Sequence, residues 1–162
     1  MRAALVALAA LAAVTAGAAL ALPVPVLTVS DGTTEFMAPL EDGEAMRFSY
    51  RQSIYEVPVL EELQREGDRI ALQRVRSSDV RAIEYLRWDG AIKRDGDGLW
   101  YQDAPPSEAH ELVIRIAPLG QQRFSTARWE CDLLGRFGQT VVRVRAEHRL
   151  FAQLLGAGTL GR

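Results

Sequence analysis

Hydrophobic and polar residues alternate with a period of two along much of this chain. Met46, Phe48, Tyr50 and Ile54 fall on one face, against Arg47, Ser49, Arg51 and Ser53 on the other. Successive side chains of a strand point to opposite sides, so this alternation predicts a half-buried strand. The rhythm returns with Val57, Val59 and Leu63, then with Ile70, Leu72 and Val75. It returns again with Leu112, Ile114 and Ile116, and with Val142, Val144 and Ala146 opposed by Arg143, Arg145 and Glu147. Residues 24–29 and 34–40 are extended runs flanking Asp31-Gly32, a strong hairpin signal. Further turns are expected at Glu41-Asp42-Gly43, at Gly67-Asp68 and at Asp95-Gly96-Asp97-Gly98, with a break at Ala104-Pro105-Pro106. Residues 77–88 fit a helical turn or an irregular strand equally well. About ten short strands at this spacing predict an all-β fold, an antiparallel β-sandwich or partly open barrel.

The N-terminus breaks the pattern. After Arg2, residues 3–22 carry no charge, and 11 of these 20 are Ala. That length crosses a hydrocarbon core as a hydrophobic helix, and the preceding Arg favours keeping its own end in the cytoplasm. Ala19-Leu20-Ala21 fits a signal-peptidase site, so a cleaved signal peptide and an uncleaved membrane anchor both stand. Pro23 and Pro25 end any helix there. The expected organisation is a leader over residues 1–22, a β-rich extracytoplasmic domain over 23–148, and a short helix with a fraying tail over 149–162. The domain is therefore expected outside the cytosol, periplasmic or at the cell surface, secreted or anchored in the membrane through its N-terminal segment.

Composition narrows the classes further. With 48% hydrophobic and 25% charged residues the chain is an ordinary globular one. A net charge of −2 gives no clustered cationic surface for nucleic acid. Of 19 basic residues only Lys93 is Lys, and the scattered Arg residues are expected on solvated strand faces. Cys131 lies on the apolar face of a short strand and reads as a buried structural thiol.

Candidate chemistry is sparse. His110 and His148 are the two histidines, too few for a zinc site at ligand spacing. No nucleophile elbow, Walker loop or dinucleotide fingerprint is present, so neither an enzyme nor a cofactor is expected. The sequence 95–98 reads as a hairpin tip, since it lacks the further spaced oxygen ligands of a calcium loop. A polar cluster is the better candidate. Unbroken alternation puts Gln52 on the face of Phe48 and Tyr50, and gives Glu61 the parity of Val57, Val59 and Leu63. A hairpin turning over residues 53–56 brings Tyr50, Gln52 and Glu61 together, with the Tyr50 hydroxyl and the Gln52 amide as donors to the carboxylate, and Ser53 at the turn joins them as a candidate ligand-binding residue. Two readings follow: a satisfied polar knot at the sandwich end, or a small ligand-binding pocket.

Residues 50–61, Tyr-Arg-Gln-Ser-Ile-Tyr-Glu-Val-Pro-Val-Leu-Glu, resemble a family of small extracytoplasmic domains of unknown function. Its genes often sit beside the fused permeases of TAXI-type tripartite (TRAP) transporters. The family pattern is an aromatic residue, any residue, His-Ser, an aliphatic residue, then Pro, a hydrophobic residue and Glu. Members also begin with an apolar helix running into Pro-Val-Pro-Val-Leu, here Pro23 to Leu27. Gln52 stands where the family usually has His, and Ser77-Ser78-Asp79-Val80 replaces a glycine-rich turn. The resemblance implies an accessory or binding module whose partner is a TRAP permease or its solute-binding protein. The alternative expectation is an envelope structural or interaction domain with no ligand pocket.

Overall fold

The computed structural model of the protein describes residues 20–156. All of the leader before Leu20 lies outside them, as does the end of the tail. The described chain is all-β, and every strand pair is antiparallel. One sheet has the order β2 (Glu35–Pro39), β1 (Pro23–Ser30), β12 (Val141–Leu150), β9 (Leu112–Arg115). The other runs β11 (Glu130–Asp132), β10 (Arg123–Ser125), β3 (Ala45–Arg51), β4 (Pro58–Glu66), β5 (Arg69–Ser77), β7 (Trp100–Asp103), β6 (Lys93–Arg94). A short β8 (Glu108–Ala109) adds to the far half of β5. The two sheets share no strand, so the fold is a sandwich.

Alternation fixes which side chains meet between the layers. Leu27, Val29, Phe36, Ala38, Val142 and Val144 of the first sheet pack against Met46, Phe48, Leu63, Ile70 and Phe124 of the second. Central β1 is covered on its other face too, because Leu154 of a short helix, α3 (Phe151–Gly156), sits on Val26 and Met37. Burial on both faces is why residues 24–29 read as a continuous apolar run rather than an alternating one. The ambiguous stretch 77–88 contains a helix, α1 (Val80–Glu84), capped by Asp79, whose carboxylate accepts from the Arg81 amide at 3.0 Å. Its Ala82 and Ile83 seal a second core of Val59 and Val75. Another one-turn helix, α2 (Leu133–Phe137), follows β11 directly, with Asp132 accepting from the Leu134 amide at 3.1 Å. Cys131 is buried, as its sequence setting predicts.

Three expectations need correction. The alternation of β3 does not continue to Ile54, because the strand ends at Arg51 and the chain turns; Ile54 is 53% exposed. Helix does not take over at residue 149, because the final strand pairs through to Leu150 opposite Pro23. Arg65 is no solvated strand-face residue. It keeps the inward parity of Val59, Glu61 and Leu63, and is only 1% exposed. Its guanidinium donates to the Leu40 carbonyl at 2.7 Å, to that of Gly67 at 2.7 Å, and at 3.5 Å to that of Val26 in the other sheet. Burial lowers the Arg65 pKa, and the carboxylates of Asp42, Glu41 and Asp68 oppose that shift.

Candidate functional site

The β3–β4 hairpin closes where the sequence places it. The Gln52 amide donates to the Val57 carbonyl at 2.9 Å, leaving residues 53–56 as the turn. Glu56 within it holds a left-handed φ of 55°, a conformation that costs a non-glycine residue about 1 kcal/mol. Its carboxylate pairs with the Arg51 guanidinium at 3.2 Å, but both side chains are exposed and such pairs contribute little.

Register then sets the neighbours. Phe48 stands opposite Glu61, and Tyr50 opposite Val59. Tyr50 and Glu61 are thus diagonal partners on the inner face, a separation that a long aromatic side chain spans. The Tyr50 hydroxyl and the Glu61 carboxyl are close enough that each shifts the titration of the other. Along the row, Glu61 is flanked by Phe48 and Val75, and beyond these lie Phe124 and Gln102. This is an apolar setting for a carboxyl group. Burial pushes the Glu61 pKa up, and the Tyr50 hydroxyl only partly offsets it. Burial likewise raises the Tyr50 phenol, with the charge of Glu61 adding to the shift.

Gln52 does not join this pair. Among the described residues no hydrogen bond links its side chain to Glu61, and its Oε1 is buried without a partner. A buried amide oxygen without a donor costs about 1–3 kcal/mol. Gln52 instead lines a cleft of about 530 Å³ at the end of the sandwich, together with Tyr50, Ser53 and Glu56. The opposite wall is the crossover from β9 to β10, a single 3₁₀ turn, Pro118–Gly120, with Ala117 and Gln122 beside it. Gln122 clamps that crossover: its Oε1 accepts from the Ala117 amide at 3.0 Å and its Nε2 donates to the Arg115 carbonyl at 2.9 Å. Gln121, at φ 47°, turns the chain into β10. The walls are mostly carbon, from the Tyr50 ring, Pro118 and a Leu119 that is 79% exposed.

The candidate residues therefore divide. Tyr50, Gln52 and Ser53 border the cleft, while Glu61 lies behind Tyr50 and touches the cleft only through it. Nothing in the pattern of residues 117–122 marked them as the second wall, since a proline and a glycine there indicate only a strand end. Their role comes from a chain crossing between sheets some 65 residues after the hairpin. His110 is exposed and faces Asp68 at 3.3 Å, and His148 is exposed on β12. No group of three or more His, Cys, Asp or Glu among the described residues is placed to hold a metal ion.

No helix among the described residues is long and apolar enough to cross a membrane. Comparison with protein-family models, with curated proteins and with solved structures finds no match to this chain.

Proposed function

We propose that this chain is an extracytoplasmic binding module that holds a small solute in the cleft between the β3–β4 hairpin and the β9–β10 crossover. The observation that carries the proposal is the buried, unpartnered Oε1 of Gln52 beside a largely apolar cleft of about 530 Å³. Small-molecule sites combine apolar walls with a few polar groups whose hydrogen bonds await the ligand. A turn of the Gln52 side chain that brings this buried acceptor to the cleft favours a solute with an N–H or O–H donor and a carbon body. Tyr50 supplies an aromatic wall, its ring packed on that of Phe48 at 5.3 Å. The role proposed is binding and asks no catalytic step of Glu61, which is set behind the cleft wall.

The leader and the resemblance of residues 50–61 extend the proposal to location and partner. The module lies outside the cytosol and serves a TRAP-type transporter, through its permease or its solute-binding protein. A denaturation-midpoint screen of the full chain in mild detergent, against amino acids, short amides, hydroxy acids and polyols, tests the binding. A stabilising solute should lose its effect in Gln52→Leu and keep it in Ser107→Ala, far along the chain. Failure of every solute, or equal stabilisation of Gln52→Leu, sinks the pocket and leaves an envelope interaction domain. Deleting the gene and measuring solute uptake tests the transporter link separately; unchanged uptake removes it.

A further inference from the structure

Half of the large apolar side chains that stand exposed among the described residues belong to one end of the first sheet. Leu22 is 59% exposed and Leu155 62%, and Leu20, Leu150 and Phe151 accompany them. Pairing brings these together. Pro23 faces Leu150 at the last rung of the β1–β12 ladder, and the Phe151 amide donates to the Leu22 carbonyl at 3.0 Å. Phe151 and Leu155 are four residues apart on α3 and share a face. Leu154, at the side of that face, packs onto Val26 and Met37 and so pins the helix to the sheet.

Beyond this last rung both segments of chain are also uncharged. No charged residue occurs from Ala3 to Ser30, nor from Leu150 to Gly161, and the two uncharged segments meet here. The nearest guanidinium, that of Arg149, is already paired with Glu147 at 2.9 Å and Glu35 at 3.5 Å. A contiguous exposed apolar patch on a folded domain marks a surface that another phase or molecule covers. The chain itself indicates which. Residues 3–22 are long enough to span a bilayer core, and they end within the patch, with strand β1 starting at Pro23 and no linker between.

We propose that this end of the folded domain rests on a lipid bilayer, with Leu22, Leu150, Phe151 and Leu155 at the boundary between headgroups and acyl chains. Side chains of this type anchor amphipathic surfaces at that depth. The domain then stands on the membrane in one orientation and does not tumble on a tether. This rests on the reading that the leader carries the chain to a membrane and stays attached.

The test uses the full chain reconstituted in phosphatidylcholine–phosphatidylglycerol vesicles, with a nitroxide label at Leu155→Cys or, as control, Asp97→Cys. Both positions are exposed, so neither change threatens the fold, and Asp97 lies on the hairpin tip of the other sheet. Burial pushes the Cys131 thiol up to about 11, so the native cysteine stays unlabelled. The expected result is a label at residue 155 relaxed several-fold more by oxygen relative to a water-soluble nickel chelate than the label at 97. If the vesicles retain the protein but the two labels respond alike, the resting surface is wrong while the anchor stands. Protein that does not stay with the vesicles overturns both. A label shielded from both probes in proportion to protein concentration shows a second copy covering the patch, and also overturns the proposal.

Discussion

Replacing Arg65 by Met tests the buried cation that joins the two layers. Met keeps much of the apolar stem and removes every N–H donor. The lost interactions are the donations to Leu40 and Gly67, both at 2.7 Å, and the longer one to Val26 at 3.5 Å. Hydrogen bonds from a charged donor each contribute about 1.5–3 kcal/mol, and a buried carbonyl left bare costs about 1–3 kcal/mol. Leu40 is fully buried, so its carbonyl has no water to turn to, whereas Gly67 lies in an exposed turn. Against these losses stands relief from burying a cation, which lowers the Arg65 pKa and which Met avoids. The loss should exceed the relief, because the carbonyls stay in place after the charge has gone. The net expectation is about 3 kcal/mol, a large part of the roughly 5–15 kcal/mol that holds a domain folded. For a chain of this size that is a fall in Tm of about 10 °C. Urea unfolding followed by tryptophan fluorescence, on the full chain in mild detergent, measures it. Arg65→Lys should fall between, since one ammonium cannot reach both carbonyls in the geometry of a planar fork. An Arg65→Met protein as stable as the parent would show that desolvation cancels the three bonds, and the reasoning fails.

Glu61→Gln should stabilise the protein at pH 7 and do little below pH 4.5, the ordinary value for this carboxyl. A carboxyl whose folded pKa is raised contributes its stability while protonated and loses it as pH rises through the folded value, so the parent weakens where the Gln variant does not. Paired urea titrations across pH check this, and a constant difference at all pH values contradicts it. Tyr50→Phe should destabilise more above the raised Glu61 pKa than at pH 4, because the neighbouring hydroxyl favours the ionised carboxyl; equal losses at both would show that the hydroxyl does not serve Glu61. Trp129→Phe should cost about 1–2 kcal/mol, through loss of the indole donation to the Pro39 carbonyl at 2.8 Å and of the edge contact with Phe36; a loss indistinguishable from zero in the same unfolding assay refutes it. Cys131 should react with a thiol reagent only in denaturant, and rapid labelling of the native protein would contradict its burial.

Much of the sandwich was legible along the chain because strand pleating is local. A residue's parity within its strand decides its face, so Met46, Phe48 and Tyr50, or Val142, Val144 and Ala146, declare a buried side without knowledge of any partner. Turn chemistry is equally local, and Asp31-Gly32 and the 95–98 tip sit where hairpins close. The hairpin over residues 53–56 and the inward parity of Glu61 belong to the same class, and both follow from the pattern. What failed was continuity: alternation cannot indicate where a strand stops, so Ile54 was assigned to the core and lies in solvent.

Arg65 shares the parity of Val59, Glu61 and Leu63, yet along the sequence it reads as one of the solvated arginines, because a cation at an inward position is improbable until three carbonyls are known to surround it. Those carbonyls come from Val26, Leu40 and Gly67, on segments that only the folding of one sheet over the other brings to it. The cleft has the same origin. Its first wall is a hairpin fixed by nearby residues, and its second is a crossover some 65 residues away whose position depends on how β9 and β10 enter different sheets. Faces, turns and the apolar start follow from short-range sterics and solvation, which each residue carries with it. The free oxygen of Gln52, the caged guanidinium and the apolar foot exist only after distant strands have been brought into register.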